Sequence, residues 1–239
     1  MQHRSIAPAI DWCIVPVAGN SKTRGVVNGD NVDMEYGGGA CEGLLLLPFY
    51  EGGSLQGRID KGERDVGRAL DVFEHVCEGL LALHSLPTPH AFRDLKPANI
   101  LIDKGTGILI DLGSVVPARV TVRDRKQALQ LQELCAQTVT APFRPPELFE
   151  VASDAELDER TDVFSLGCSI YAALYGQSPF DGSATAATSW RVPFLPENPS
   201  CPKDLQALIK RMVNPTLSER PFIPEVVAEL RRIHGALPL

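Results

Sequence analysis

The chain has 239 residues, a formal net charge of −7, and 44% hydrophobic against 22% charged residues, the balance of a chain that buries a core, not of a disordered one. It carries no basic cluster or basic-aromatic alternation, which argues against nucleic acid as a partner, and no apolar run nears the ~20 residues that span a bilayer. Six cysteines without C-x-x-C or other metal-ligand spacing, and without a secretory signal before them, point to reduced thiols and a cytoplasmic protein.

In chain order, Ala18 to Ala40 is polar and contains Gly37-Gly38-Gly39, the composition of a solvated insertion between strands. Leu44 to Leu47 reads as a buried strand. From Asp65 to Leu86, Val66, Leu70, Phe73, Val76, Cys77, Leu80 and Leu83 recur near helical spacing and Pro87 follows, so an amphipathic helix is predicted. Ile100-Leu101-Ile102 and Ile108-Leu109-Ile110 flank Asp103-Lys104-Gly105-Thr106-Gly107, the pattern of a β-hairpin with a glycine-containing loop. Arg125 to Gln137 lacks Gly and Pro and suits a helix, and Thr161 to Tyr175 reads as a mostly buried helix stopped by Gly176. Pro179 to Pro202 is loop with at most a short helix near Ala184 to Trp190, and amphipathic helices follow at Asp204 to Val213 and Pro224 to His234. His75 and His84 fall within a helical pattern, as structural residues do.

The hairpin carries the chemistry. It brings its two ends together, so Asn99 before the first strand and Asp111 after the second arrive side by side. An amide oxygen and a carboxylate at one edge suit Mg²⁺, which keeps several waters and takes few protein ligands. Asp94, five positions before Asn99, could accept the proton of an attacking hydroxyl. Taken alone, Asp94 or Asp111 would be read as a turn residue or a helix cap.

The run Phe92-Arg93-Asp94-Leu95-Lys96-Pro97-Ala98-Asn99, followed by Asp111-Leu112-Gly113, resembles the catalytic loop and metal-binding motif of the eukaryotic protein kinases. Phe92 and Leu112 depart from the family's His and Phe, at positions where the resemblance implies internal packing. It further implies Asp94 as catalytic base, Lys96 at the transferring phosphate, and Asn99 and Asp111 on metal. Pro145-Pro146-Glu147 resembles the end of the activation segment, with Arg220 as partner to Glu147, and Asp162 matches the residue that holds the catalytic loop. Arg93, Thr138 and Thr140 complete the structural and regulatory positions, Thr138 as a candidate phosphosite and Thr140 as a bridge between Asp94 and Lys96. The D-L-K-P-x-N form is similar to the Ser/Thr class. Asp111-Leu112-Gly113-Ser114, the Gln127 to Gln132 stretch and Asp158 to Val163 resemble the Numb-associated kinases, especially their lipid-anchored, Golgi-associated branch. Membrane or Golgi association would follow from that likeness alone, and Met1-Gln2 lacks the Met-Gly that myristoylation needs.

On the nucleotide side, Pro48-Phe49-Tyr50-Glu51-Gly52-Gly53-Ser54-Leu55 resembles the interlobe hinge. Pro48 would offer its carbonyl and Tyr50 its N–H to adenine, with Leu101 as pocket floor. No G-x-G-x-x-G loop, strand lysine or helix glutamate is found, and His3 to Val15 looks like the segment after that helix. The expectation is therefore an N-terminally truncated kinase of α+β class, with residues 1–50 an N-lobe remnant with hinge and 51–239 a mainly helical C-lobe. The implied function is a Ser/Thr protein kinase that uses ATP and Mg²⁺ on protein substrates. A second reading, from another class, is a catalytically silent pseudokinase or fragment that binds proteins, motivated by the missing phosphate-binding parts.

Overall fold

The computed structural model describes residues 3–16, 41–194 and 201–237, so the glycine run Gly37-Gly38-Gly39 lies outside the described residues. Two units divide the chain, Met1–His3 with Ala7–Phe49, and Arg4–Ile6 with Tyr50–Leu239.

In the first unit, β1 (Asp11–Pro16) and β2 (Cys41–Leu46) pair antiparallel, from Asp11 opposite Leu46 to Pro16 opposite Cys41. The strand predicted at Leu44 to Leu47 forms, but its expected burial does not. Leu44, Leu45 and Leu46 expose 50%, 61% and 56% of their surface. Successive side chains of a strand point to opposite faces, and a two-stranded ribbon covers neither face completely. Apolar composition marks a strand without reporting how much sheet stands beside it.

The second unit opens with α1 (Leu55–Asp60), whose N-cap Ser54 accepts a bond from Gly57 N–H at 3.1 Å. Six residues with only Leu55 and Ile59 buried are too short for a periodicity signal, which is why the sequence does not announce this helix. α2 (Val66–His84) starts on Asp65, whose carboxylate accepts from Arg68 N–H at 2.7 Å. After β3 (His90–Ala91) come β4 (Ile100–Asp103) and β5 (Thr106–Leu109), paired antiparallel from Ile100 opposite Leu109 to Asp103 opposite Thr106. The five-residue loop expected there shrinks to Lys104-Gly105, with φ of +50° and +89°, the all-positive pair that a tight hairpin turn demands.

β6 (Val116–Pro117) pairs with β3, and β7 (Val120–Thr121) with β8 (Glu156–Leu157). Between β7 and β8 lies α3 (Arg125–Thr138), capped by Asp124, which accepts from Gln127 N–H at 2.9 Å. α4 (Arg160–Tyr175) is buried from Thr161 to Leu174 and ends at Gly176 in the left-handed region, φ +93°. α5 (Ala184–Ser189), α6 (Lys203–Met212) and α7 (Ile223–Gly235) follow the predicted order.

One core joins Leu70, Phe73 and Leu80 of α2 to Leu166 of α4, Ile209 of α6 and Leu230 of α7, all fully buried. The β4–β5 hairpin rests on α2 so closely that a Cβ at Gly107 would lie 2.5 Å from the Val72 carbonyl oxygen. Each hairpin edge is tied once more: Ile6 bridges Leu109 in parallel, and Ser54 bridges Leu101 antiparallel. Those ties hold still the two chain ends where Asn99 and Asp111 sit.

Candidate active site

The loop that carries Asp94 begins with a strained turn. Asp94 N–H donates to Phe92 O at 2.9 Å across Arg93, whose φ is +70°, the rare form of γ-turn. A non-glycine residue there costs on the order of 1–3 kcal/mol and persists only when its surroundings over-determine it. The surroundings are Asp162, fully buried near the start of α4. Its carboxylate accepts from Phe92 N–H at 2.7 Å, Arg93 N–H at 2.8 Å and His84 Nε2 at 2.9 Å. The turn is thus fastened to the most buried helix of the unit.

Asp94 projects from this turn with its carboxylate oriented by three donors. Oδ2 accepts from Lys96 Nζ at 2.7 Å and Asn99 Nδ2 at 3.3 Å, and Oδ1 accepts from Thr140 N–H at 2.9 Å. Lys96 Nζ also donates to Thr140 Oγ1 at 2.6 Å. Lys96 and Thr140, 44 positions apart, therefore close one ring with Asp94. Each carboxylate oxygen has two acceptor positions, so Oδ1 keeps one to receive a proton.

Asn99 closes the short 3₁₀ turn Pro97–Asn99 and is buried. Its Nδ2 is occupied by Asp94 O at 2.9 Å as well as by Oδ2, which turns its amide oxygen the other way, where it meets no donor among the described residues. Across the hairpin, Ile110 N–H donates to Asn99 O at 3.0 Å, so Asp111 follows directly beside the Asn99 backbone. Asp111 takes φ +63°, and among the described residues its carboxylate accepts only a long 3.4 Å bond from Gly113 N–H. An unengaged amide oxygen and a nearly unengaged carboxylate are hard donors of the kind Mg²⁺ takes while keeping its waters, so this pair fits that ion.

The remaining predicted positions distribute as follows. Glu147 and Arg220 form a two-pronged pair, with both N···O distances 2.7 Å, although 73 positions separate them. Arg220 is 2% exposed, donates also to Asn214 O at 2.7 Å, and lies over the Phe164 ring at 5.0 Å. Thr138 is the exposed last residue of α3, its hydroxyl donating to Leu134 O at 2.9 Å. Pro48 belongs to the first unit and Tyr50 and Leu101 to the second. Burial pushes the Tyr50 phenol up, with Asp103 adding to the effect. Phe92 is fully buried, whereas Leu112 is 44% exposed, so the internal packing expected of Leu112 does not occur in this structure.

Several residues of the site carry no local signal in the sequence. His84 reads as a structural histidine, and only the tertiary fold shows that it shares Asp162 with the turn that carries Asp94. Arg144 is buried, and its guanidinium donates to Val139 O and Ala136 O at the end of α3, stacked on Phe149 at 4.7 Å. Burial pulls its pKa down from the ordinary value. An arginine just past a helix end is the available hint. Arg93 is 4% exposed, and its Nε and Nη2 have no hydrogen-bond partner among the described residues. Burial raises the Cys135 thiol beside it, against the pull of Arg93 and Arg144.

Residues 40–230 match the family described as protein kinase domain. The chain is 37% identical over 213 residues to Serine/threonine-protein kinase 16 of Rattus norvegicus, covering 84% of this chain and 69% of that protein. The same figures hold for Serine/threonine-protein kinase 16 of Homo sapiens. It is 33% identical over 146 residues to Serine/threonine-protein kinase ENV7 of Saccharomyces cerevisiae, covering 58% of this chain and 40% of that protein.

Proposed function

The chain belongs to the protein kinase family, and from that premise we propose that it moves the γ-phosphoryl group of ATP to Ser or Thr hydroxyls of proteins through the constellation around Asp94. The observation that carries the assignment of roles is the ring of Asp94, Lys96 and Thr140, with Asn99 at its edge.

In this reading the acceptor hydroxyl gives its proton to Asp94 as its oxygen bonds to the γ-phosphorus. The bond from that phosphorus to the β–γ bridging oxygen breaks, and ADP leaves. Lys96 holds negative charge on the moving phosphoryl oxygens while its bond to Thr140 keeps it from collapsing fully onto Asp94. Asp162 acts as a positioning residue, since it touches the turn and not the reactants. Asn99 and Asp111 would hold magnesium, which when bound neutralises phosphate charge. Tyr50 and Leu101 are assigned to adenine. A cytoplasmic setting is part of the proposal, supported by Cys13, Cys77, Cys135, Cys168 and Cys201 all being free thiols.

The test is Asp94→Asn, assayed by transfer of labelled phosphate from ATP to a Ser/Thr-containing protein. General-base help is worth ~10²–10⁴ in rate, so turnover should fall by about that range with nucleotide affinity nearly unchanged. An unchanged rate removes Asp94 from the role. A parent chain that binds ATP without transfer to any hydroxyl substrate would favour the silent, protein-binding reading.

A further inference from the structure

Away from the catalytic loop, α1, the first turns of α2, β4 and the end of α4 line a half-open cavity of about 200 Å³. Its apolar wall is formed by Leu55, Ile59, Val72 and Ile102, closed by the small residues Ala69 and Ala173. Arg58 and Arg68 also line it, and neither guanidinium makes a hydrogen bond or ion pair with any described residue. The other charged groups are mostly committed. Arg64 Nη1 donates to Ile59 O at 2.9 Å and Glu63 O at 2.7 Å, and the Asp65 carboxylate caps α2. Glu63 alone among the acids facing the cavity is uncommitted, which leaves positive charge in excess.

An apolar cavity with free guanidinium forks at its edge matches a ligand with a hydrocarbon body and one anionic head. A cavity of about 150 Å³ takes a benzene ring, so this one has room for an aliphatic chain of about six to eight carbons. We propose that it is a binding site for a medium-chain aliphatic carboxylate, whose chain lies against Leu55, Ile59, Val72 and Ile102 and whose head group meets Arg58 and Arg68. None of these side chains takes part in phosphoryl transfer, so the site is a second one.

The experiment is calorimetric titration of the full chain with octanoate, and with octan-1-ol as the headless control. One saturable octanoate site is expected, with octan-1-ol binding about tenfold more weakly. The double variant Arg58→Gln/Arg68→Gln should weaken octanoate about tenfold and leave octan-1-ol unchanged, and Ala69→Leu should abolish both by filling the cavity. Equal affinity for acid and alcohol, no saturable octanoate binding below its micellar range, or octanoate binding untouched by the double arginine variant each overturns the proposal. Should Ala69→Leu fail to fold, the arginine variant decides, because Arg68 is exposed and Arg58 only half-buried. Repeating the titration on Asp94→Asn, which should bind octanoate like the parent, separates this site from the assignment of the catalytic base.

Discussion

Asp162→Ala tests the idea that a buried carboxylate holds the turn carrying Asp94 in its strained form. The substitution removes the acceptor for Phe92 N–H and Arg93 N–H, two backbone donors inside the core, and for His84 Nε2. Orphaning a buried donor costs about 1–3 kcal/mol, so the two amides alone amount to about 2–6 kcal/mol. For a chain of this size 1 kcal/mol moves the melting temperature by about 2–4 °C, which places the loss on the order of 10 °C. Asp162→Asn keeps the shape and one acceptor oxygen, so it should lose roughly half as much. Thermal unfolding followed by circular dichroism reads both, and kcat/KM for phosphate transfer should fall in the same order, because the Asp94 N–H closes the turn. An alanine variant that melts within about 2 °C of the parent would refute the reasoning, since the Arg93 turn would then be held by something else.

Thr140→Val removes the hydroxyl that accepts from Lys96 Nζ at near-constant volume, and should lower kcat/KM about tenfold with little change in stability, while Thr140→Ser should retain activity. Equal rates in the valine and serine variants would discard the bridging role. Glu147→Gln strips the counter-charge from buried Arg220 and should lower the free energy of urea unfolding by about 3 kcal/mol, the lower end for a broken buried pair because Glu147 keeps 15% side-chain exposure. A change below about 1 kcal/mol would count against that pair as a structural tie. Burial alone would raise the Glu159 carboxyl, but hydrogen bonds from Arg119 outweigh it and hold the group below its usual 4.5. The stability this supplies is complete above the usual value and is lost as pH falls through the lower folded one. Arg119→Gln should therefore lose less stability than the parent on going from neutral pH to about pH 3, and parallel stability curves would contradict it.

How far each feature could be read ahead of the fold depends on the range of the interactions that produce it. α2, α4, α6 and α7 follow from helical spacing and their stops, and Asp65, Asp124 and Gly176 mark termini as their side-chain or backbone chemistry requires. The β4–β5 hairpin is equally local, though its turn needed the positive φ of Lys104 and Gly105 to shrink to two residues. Asp94, Asn99 and Asp111 were legible because a hairpin joins them within 18 residues, whereas the role of Lys96 came only from a family likeness. Thr140, Asp162 and Arg220 could be named only through a family likeness, since nothing near them in the chain specifies a partner.

Composition and periodicity by themselves determined the longer helices, the β4–β5 hairpin and its oxygen donors, because turns, caps and amphipathic stripes are interactions between near neighbours in the chain. Tertiary structure alone decided that His84 and the turn carrying Asp94 share Asp162, that Leu44 to Leu46 stay exposed, that Leu112 does not pack inward, and that Arg58 and Arg68 border an apolar cavity. Each of those depends on which distant surfaces are brought together and desolvated, and the free energy of that burial belongs to the assembled elements and to no single segment.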